Sequence, residues 1–307
     1  MRYSRQEAVI GKRAQQVIEQ STVAIVGIGA LGSVMAEILC RVGIKKLILI
    51  DRDIVELSNL QRQSLYTEAD VGKPKVSAAA THLRQIRQDV QLELHAVELF
   101  ADNVHILKKA QLIMDGTDNF PTRFLLNDYC LKTKKPFIHA AVIEGRGFVF
   151  PVLKKPCLRC LLGETSVQDS CDAQGVLGSI VHVIAGMACE QACRTLIEKS
   201  CEPFVTHVDL IRQQYDRIRV LPRKNCPACN KKFMQRTALP STFCGGTTFQ
   251  FRTTQAYPAL KKKYASEKTF REFTIAFSCA NCAFFPDGRV IVQAPNEKSA
   301  KAIFSKL

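Results

Sequence analysis

Residues 22–42 read TVAIVGIGALGSVMAEILCRV, and the fold is decided there. Thr22–Gly27 is an apolar run without alternation, which predicts a strand buried on both faces of a parallel sheet. It enters Gly27-x-Gly29-Ala30-x-Gly32, and a helix through Val42 follows. Glycines in such a turn let backbone approach phosphate, while the helix N-terminus offers N–H groups and partial positive charge. Working outward, Lys46–Ile50 (KLILI) is the next strand. It ends at Asp51, 24 residues after Gly27, where a carboxylate would accept hydrogen bonds from ribose hydroxyls. Further strands are expected at Leu92–Val97, Leu112–Asp115 and Phe137–Val142, with helices from about Pro74, around Asn103–Lys109 and over Pro121–Lys134. This alternation predicts an α/β fold with a Rossmann-like, doubly wound and mostly parallel sheet. Phe148–Leu153 reads as a later strand, Val176–Lys199 as one long helix, and Phe204–Leu210 with Tyr215–Leu221 as an antiparallel extension.

After Cys229 the pattern changes. Short strands (Thr247–Phe251, Phe273–Phe277, Arg289–Val292) mix with helices near Ala256–Tyr264 and Asn296–Leu307, and Pro286-Asp-Gly marks a hairpin turn. Two domains are expected, residues 1–230 and a small basic α+β appendage over 231–307. The 307 residues are 47% hydrophobic and 23% charged, which excludes a disordered or collagen-like chain. The opening Met1-Arg-Tyr-Ser-Arg-Gln-Glu has no apolar core, so no secretory signal is read. The most apolar stretch, Val176–Cys189, carries His182 and falls short of the roughly 20 residues of a membrane helix. A cytoplasmic protein without a membrane partner is expected. Lys and Arg number 43 against 28 Asp and Glu, and residues 231–307 alone hold 13 basic and 4 acidic side chains. An acidic partner near the tail would explain that excess; a solvated lysine-rich surface explains it more simply.

Thirteen cysteines in a reducing compartment are not expected to form disulfides. Three Cys-x-x-Cys pairs stand out: Cys157/Cys160, Cys226/Cys229 and Cys279/Cys282. Convergence of the first two would give a closed, structural zinc site of four cysteines. Pro156 and Pro227 stiffen those turns, and Lys154, Lys155, Arg223 and Lys224 would offset the negative charge of four thiolates. The competing pairing uses Cys279/Cys282 as one half; left over, those two are ordinary thiols or a redox pair.

Ser58-Asn59-Leu-Gln61-Arg62-Gln63 and Gly72-Lys-Pro-Lys75 leave the C-terminal side of the expected sheet, the rim where open α/β sheets bind ligands. Attack on a triphosphate needs such cations, because charge gathers on the leaving pyrophosphate; hydride transfer does not. Asp118, in Asp115-Gly-Thr-Asp118-Asn119, ends another strand and is placed to hold Mg2+. Two other readings stand beside this one: a nicotinamide-dependent oxidoreductase on the same fold, and a zinc-stabilised scaffold whose basic tail grips RNA or an acidic protein.

With those segments in view, the chain resembles the ThiF/MoeB/HesA adenylyltransferases, bacterial relatives of ubiquitin-activating enzymes. The stretches that carry the resemblance are Arg2-Tyr-Ser-Arg5-Gln, GIGALGS, LILIDRDIVELSNLQRQ, VGKPKV, DGTDN, PCLRCL and CPAC, over residues 1 to about 230. The tail from Phe243-Cys-Gly-Gly resembles, more loosely, the extension of longer ThiF-type members. The resemblance implies ATP binding by Gly27, Gly29, Ala30, Gly32, Asp51, Ser58, Asn59, Gln61, Arg62, Lys75, Asp118 and Asn119, with Arg123 and Asn127 on a helix lining the pocket. It implies a homodimer in which Arg5 reaches the neighbouring subunit's site, and it supports the first zinc pairing. The implied reaction is attack of a carrier's C-terminal glycine carboxylate on the α-phosphorus of ATP, the carrier being a small ubiquitin-like sulfur carrier of ThiS or MoaD type. Cys171 matches a cysteine that ThiF-like members use for a covalent link and MoeB-like members do not need for adenylation. No rhodanese-like segment follows residue 230, so a separate sulfur donor is expected. Nucleic acid is not expected as a partner. His182, where the family has a small residue, is expected to pack within its helix.

Overall fold

The structure, a computed structural model, describes residues 2–163, 175–230 and 248–307. Two short helices, α1 (Ser4–Ile10) and α2 (Lys12–Gln20), lead into β1 (Thr22–Val26) and α3 (Ala30–Val42). There follow β2 (Lys46–Ile50), α4 (Lys75–Ile86), β3 (Gln91–His95) and β4 (Leu112–Asp115). Helix α5 (Phe120–Thr133) precedes β5 (Phe137–Ile143), β6 (Arg146–Val152) and the single turn α6 (Leu158–Leu162). The first sheet is completed by α7 (Gly178–Glu198), β7 (Phe204–Asp209) and β8 (Gln214–Arg219).

The strand order is β3-β2-β1-β4-β5-β6-β7-β8. Pairing is parallel from β3 to β5 and antiparallel from β5 to β8. Because the chain builds outward from β1 to β2 and β3 and then returns to the other side as β4, the β1/β4 boundary is the topological switch point, where a crevice opens. Alternation of side chains along β1 explains the two-faced core. Val23 and Ile25 join a cluster with α3, α4 and α7, while Ala24 and Val26 join a second with α5 and α6. The expected helix at Asn103–Lys109 is a 3-10 segment over Val104–Lys109.

Helix α7 runs past Cys189 to Glu198, which makes it long and apolar enough to cross a bilayer by length and composition. Its apolar face instead buries Ile180, Val181, Ile184, Ala185 and Ala188 in the first cluster beside α3, as a core helix does.

The remaining strands form a separate antiparallel sheet. It contains β9 (Thr248–Arg252), β10 (Arg271–Phe273), β11 (Ala276–Cys279), β12 (Cys282–Phe284) and β13 (Arg289–Gln293), in the order β10-β11-β12-β13-β9. One face is covered by α8 (Tyr257–Tyr264) and α9 (Glu297–Phe304), with the Phe277–Phe284 and Phe251–Phe304 rings stacked at 4.6 Å. The other face contributes Ala276, Ala283, Phe285 and Ile291 to the first core cluster. The small sheet thus shares the first core cluster with the large one. The single strand expected at Phe273–Phe277 is broken by a turn at Thr274–Ile275, whose residue types carry no turn signal. The turn at Pro286-Asp-Gly lies where expected, with Gly288 at φ +81°.

Candidate active site

The glycine turn is held by close backbone approach. Gly27 sits at φ +82°, and a Cβ added at Gly32 would lie 1.8 Å from the Gly27 carbonyl oxygen. At Gly29 the same Cβ would meet only Gln63 Nε2 at 3.8 Å, so this glycine faces open space. No side chain caps α3 at Gly29, which leaves the first N–H groups of α3 pointing at that space. Asp51 ties the turn to the next strand: its Oδ2 accepts from the Ile28 N–H at 2.6 Å and its Oδ1 from the Asp53 N–H at 2.7 Å. Burial pushes its carboxyl upward, against the pull of Lys75. Tyr66, which no local signal singles out, donates its hydroxyl to the Ile28 carbonyl at 2.7 Å.

Lys75 is the first residue of α4, buried, with Nζ 3.4 Å from Asp53 Oδ2. Burial works against its ammonium, but Asp53, Asp51, Asp118 and Glu56 outweigh it and hold the pKa above the ordinary lysine value. The turn after β4 completes this neighbourhood with the exposed Asp118. Asp115, beneath it, is fixed by Thr117, whose N–H and hydroxyl both donate to Oδ1, and by His139 at 2.6 Å from Oδ2. Burial drives the His139 pKa down, so its ring is neutral and donates from Nδ1. Burial opposes the Asp115 charge, yet the His139 hydrogen bond leaves its pKa lowered. Residue pattern alone assigns no role to Asp53, Asp115 or His139, although Asp53 repeats the acid in Asp51-Arg-Asp53 and Asp115 opens DGTDN.

Of the residues named from sequence, the structure gathers Gly27, Gly29, Gly32, Asp51, Lys75 and Asp118 at the switch point. Ala30 opens α3. Ser58 is exposed, and its carbonyl accepts from Arg62 Nη1 at 3.0 Å. Asn59 is buried, bonding its own turn by accepting from the Glu56 N–H at 3.2 Å. Gln61 reaches toward the start of α7, donating to the Val176 carbonyl at 3.4 Å. Three further expected ligands are engaged by the protein itself. Asn119 caps α5 by accepting from the Thr122 N–H, and Arg123 donates to the Thr117 carbonyl at 2.6 Å. Asn127 is fully buried, accepting from the Leu158 N–H at 2.9 Å. These bonds hold the loop after β4 and the start of α6 in place. His182 is exposed rather than packed, with Nδ1 bonded to the Gly178 carbonyl of its own helix at 2.8 Å and Nε2 3.2 Å from Ser64 Oγ. Arg5 is exposed on α1, a helix with no buried residue, and no described hydrogen bond or ion pair joins it to the rim. Cys171 lies outside the described residues.

Cys157, Cys160, Cys226 and Cys229 converge. Their sulfurs lie within 4.8 Å of one another, with three separations of 3.5–3.6 Å. A tetrahedron of sulfurs 2.3 Å from a zinc ion has edges of about 3.8 Å, so the donor set fits such a cation. Burial pushes the Cys157 thiol up to about 12. Cys160 is also opposed by burial, but the Arg223 and Cys157 contacts bring it down. Cys279 and Cys282 stand apart, as cross-strand partners in the β11–β12 hairpin.

Glycine turn, buried lysine and acidic loop at the switch point of a doubly wound sheet define the class: an α/β nucleotide-binding protein equipped for phosphoryl chemistry. The sequence model of the ThiF family matches residues 3–228, and the chain belongs to that family. It is 34% identical to the sulfur carrier protein ThiS adenylyltransferase of Bacillus subtilis, across 99% of this chain and 98% of the relative. It is 31% identical to a sulfur carrier protein adenylyltransferase of Thermus thermophilus, across 80% and 96%. Among solved structures, Escherichia coli MccB with ATP shares the fold, at 21% identity and a TM-score of 0.66 over 75% of each chain.

Proposed function

We propose that this chain adenylates the C-terminal glycine carboxylate of a small ubiquitin-like sulfur carrier ending in Gly-Gly. The observation that carries the reading is the gathering of Gly29, Asp51, Lys75 and Asp118 at one switch-point rim. A carrier carboxylate is ionised at neutral pH and needs no base. Its oxygen bonds to the α-phosphorus of ATP while the bond to the bridging oxygen breaks. The bonding pair leaves on pyrophosphate and acyl-adenylate remains. The open N-terminus of α3 receives phosphate, and the Lys75 ammonium offsets charge on the departing pyrophosphate. Arg62, on the loop between β2 and α4, adds a second cation. Magnesium, when bound, supplies further neutralisation of the phosphates, and Asp118 is the exposed carboxylate suited to hold it.

The four-cysteine cluster fits structural zinc, which would tie α6 to the turn after β8. By its family's pattern the enzyme would act as a homodimer with Arg5 completing the partner's site, and a separate protein would supply sulfur. The described cysteines are free thiols, in keeping with a reducing cytoplasmic setting. The test is exchange of labelled pyrophosphate into ATP. Exchange that requires a Gly-Gly-ended carrier, and is lost with a carrier shortened by one glycine, is expected. Exchange indifferent to the carrier would refute the reading.

A further inference from the structure

The C-terminal sheet meets the nucleotide rim through one buried cation. Arg289 opens β13 and is 2% exposed. Its Nη1 donates to the Arg52 carbonyl oxygen at 3.0 Å, and its Nη2 donates to the Ala96 carbonyl oxygen. Asp287 steadies it, with Oδ2 accepting from Nε at 2.6 Å and Oδ1 from the Arg289 N–H at 3.1 Å. The guanidinium also lies 4.5 Å from the centre of the Phe285 ring. Ala96 follows directly on the end of β3 and Arg52 comes two residues after the end of β2, at the edge of the rim. A second tie lies close by: Thr248 Oγ1 donates to Glu56 Oε1 at 2.7 Å.

Both ties fall on residues 52–56, the segment that shapes the site. The Asp53 N–H is held by Asp51, its carbonyl accepts from the Lys75 N–H at 2.9 Å, and its carboxylate faces the Lys75 ammonium. We propose that Arg289 is a positioning residue for ATP. From the C-terminal unit it fixes the segment Arg52–Glu56 and, through it, Asp51 and Lys75. A planar guanidinium that bridges carbonyls of two neighbouring strand ends sets their spacing, which a single flexible ammonium does less well. Without it one buried and one half-buried carbonyl lose this donor, and the segment relaxes by distances that matter for a phosphate-facing lysine. The proposal rests on the rim being the ATP site.

The test uses the full chain as wild type and as Arg289→Ala, Arg289→Lys and Thr248→Val. ATP with magnesium is titrated by calorimetry, amide deuterium exchange is followed without ligand, and KM for ATP and for the carrier is taken from pyrophosphate exchange. For Arg289→Ala the Kd for ATP rises about tenfold, with carrier KM unchanged. Amide exchange quickens over residues 51–56 but not in β1 or β4. Arg289→Lys recovers part of the loss, and Thr248→Val moves the same way by a smaller factor. An Arg289→Ala protein that binds ATP like wild type overturns the proposal alone. Exchange raised evenly through β1 and β4, together with unchanged ATP affinity in Thr248→Val, overturns it too. A wild type that binds no ATP overturns the rim's assignment and this proposal together.

Discussion

Two polar clusters are built on the same sheet, one at the C-terminal ends of its parallel strands and one beside its antiparallel extension. At the first, Lys75 is buried 3.4 Å from Asp53 while Asp118 stands exposed and Gly29 faces open space. At the second, four sulfurs lie within 4.8 Å of each other and three of the four cysteines are buried. The rim leaves charge and N–H groups facing outward. The thiol cluster turns all its donor atoms inward on a space the size of one ion. Outward-facing charge suits a substrate that comes and goes, and a closed donor set suits a cation that stays. The proposed division, chemistry at the rim and scaffolding at the thiols, can be attacked at either end.

The largest expected effect lies at the thiols. Cys226→Ser, or prolonged chelation, should lower unfolding free energy by about 5 kcal/mol, because binding of the proposed zinc would be linked to folding. Thermal and denaturant melts read this, with activity per folded molecule preserved. Unchanged melts on removing zinc would end the contrast. At the rim, Lys75→Met should reduce carrier-dependent pyrophosphate exchange by about a thousandfold, with little change in melting. Exchange within a few-fold of wild type would strike Lys75 from the machinery. Arg62→Ala should do the same by about a hundredfold, and equal loss of melting temperature and activity would assign it to scaffolding instead.

A smaller effect tests the layer beneath the rim. Burial holds the His139 pKa below its ordinary value, so the folded protein takes up its proton less readily than the unfolded chain. Folding stability should therefore fall as pH drops below about 6.5, and the loss should continue down to the depressed folded value. Replacing His139 by Gln should flatten that part of the stability profile. A wild-type profile without slope between about pH 6.5 and 5 would contradict the buried neutral ring.

Much of the rim was legible because its signals are local. Gly32 is demanded by the close Gly27 carbonyl within one strand-turn-helix unit and Gly27 by its positive φ, and Asp51 stands at the end of the next strand. Asp53, Asp115, His139 and Arg289 were not legible as a group. Each acts through a partner brought from elsewhere in the chain, His139 from β5 to Asp115 on β4 and Arg289 from β13 to Arg52. Asn119, Arg123 and Asn127 show the converse. The resemblance implies a pocket role for them, and the structure adds bonds that no residue pattern announces: a helix cap by Asn119, a loop carbonyl held by Arg123 and the Leu158 N–H held by Asn127.

The sequence by itself determined the alternation of strand and helix, the glycine turn and the pairing chemistry of the thiols, since these follow from apolar period and short-range backbone demands. Only the tertiary structure decided which Cys-x-x-Cys pairs meet, which carboxylate faces Lys75, and that the C-terminal sheet packs against the rim. Those outcomes depend on the order in which strands assemble and on distances between residues far apart in the chain, and no local pattern encodes them.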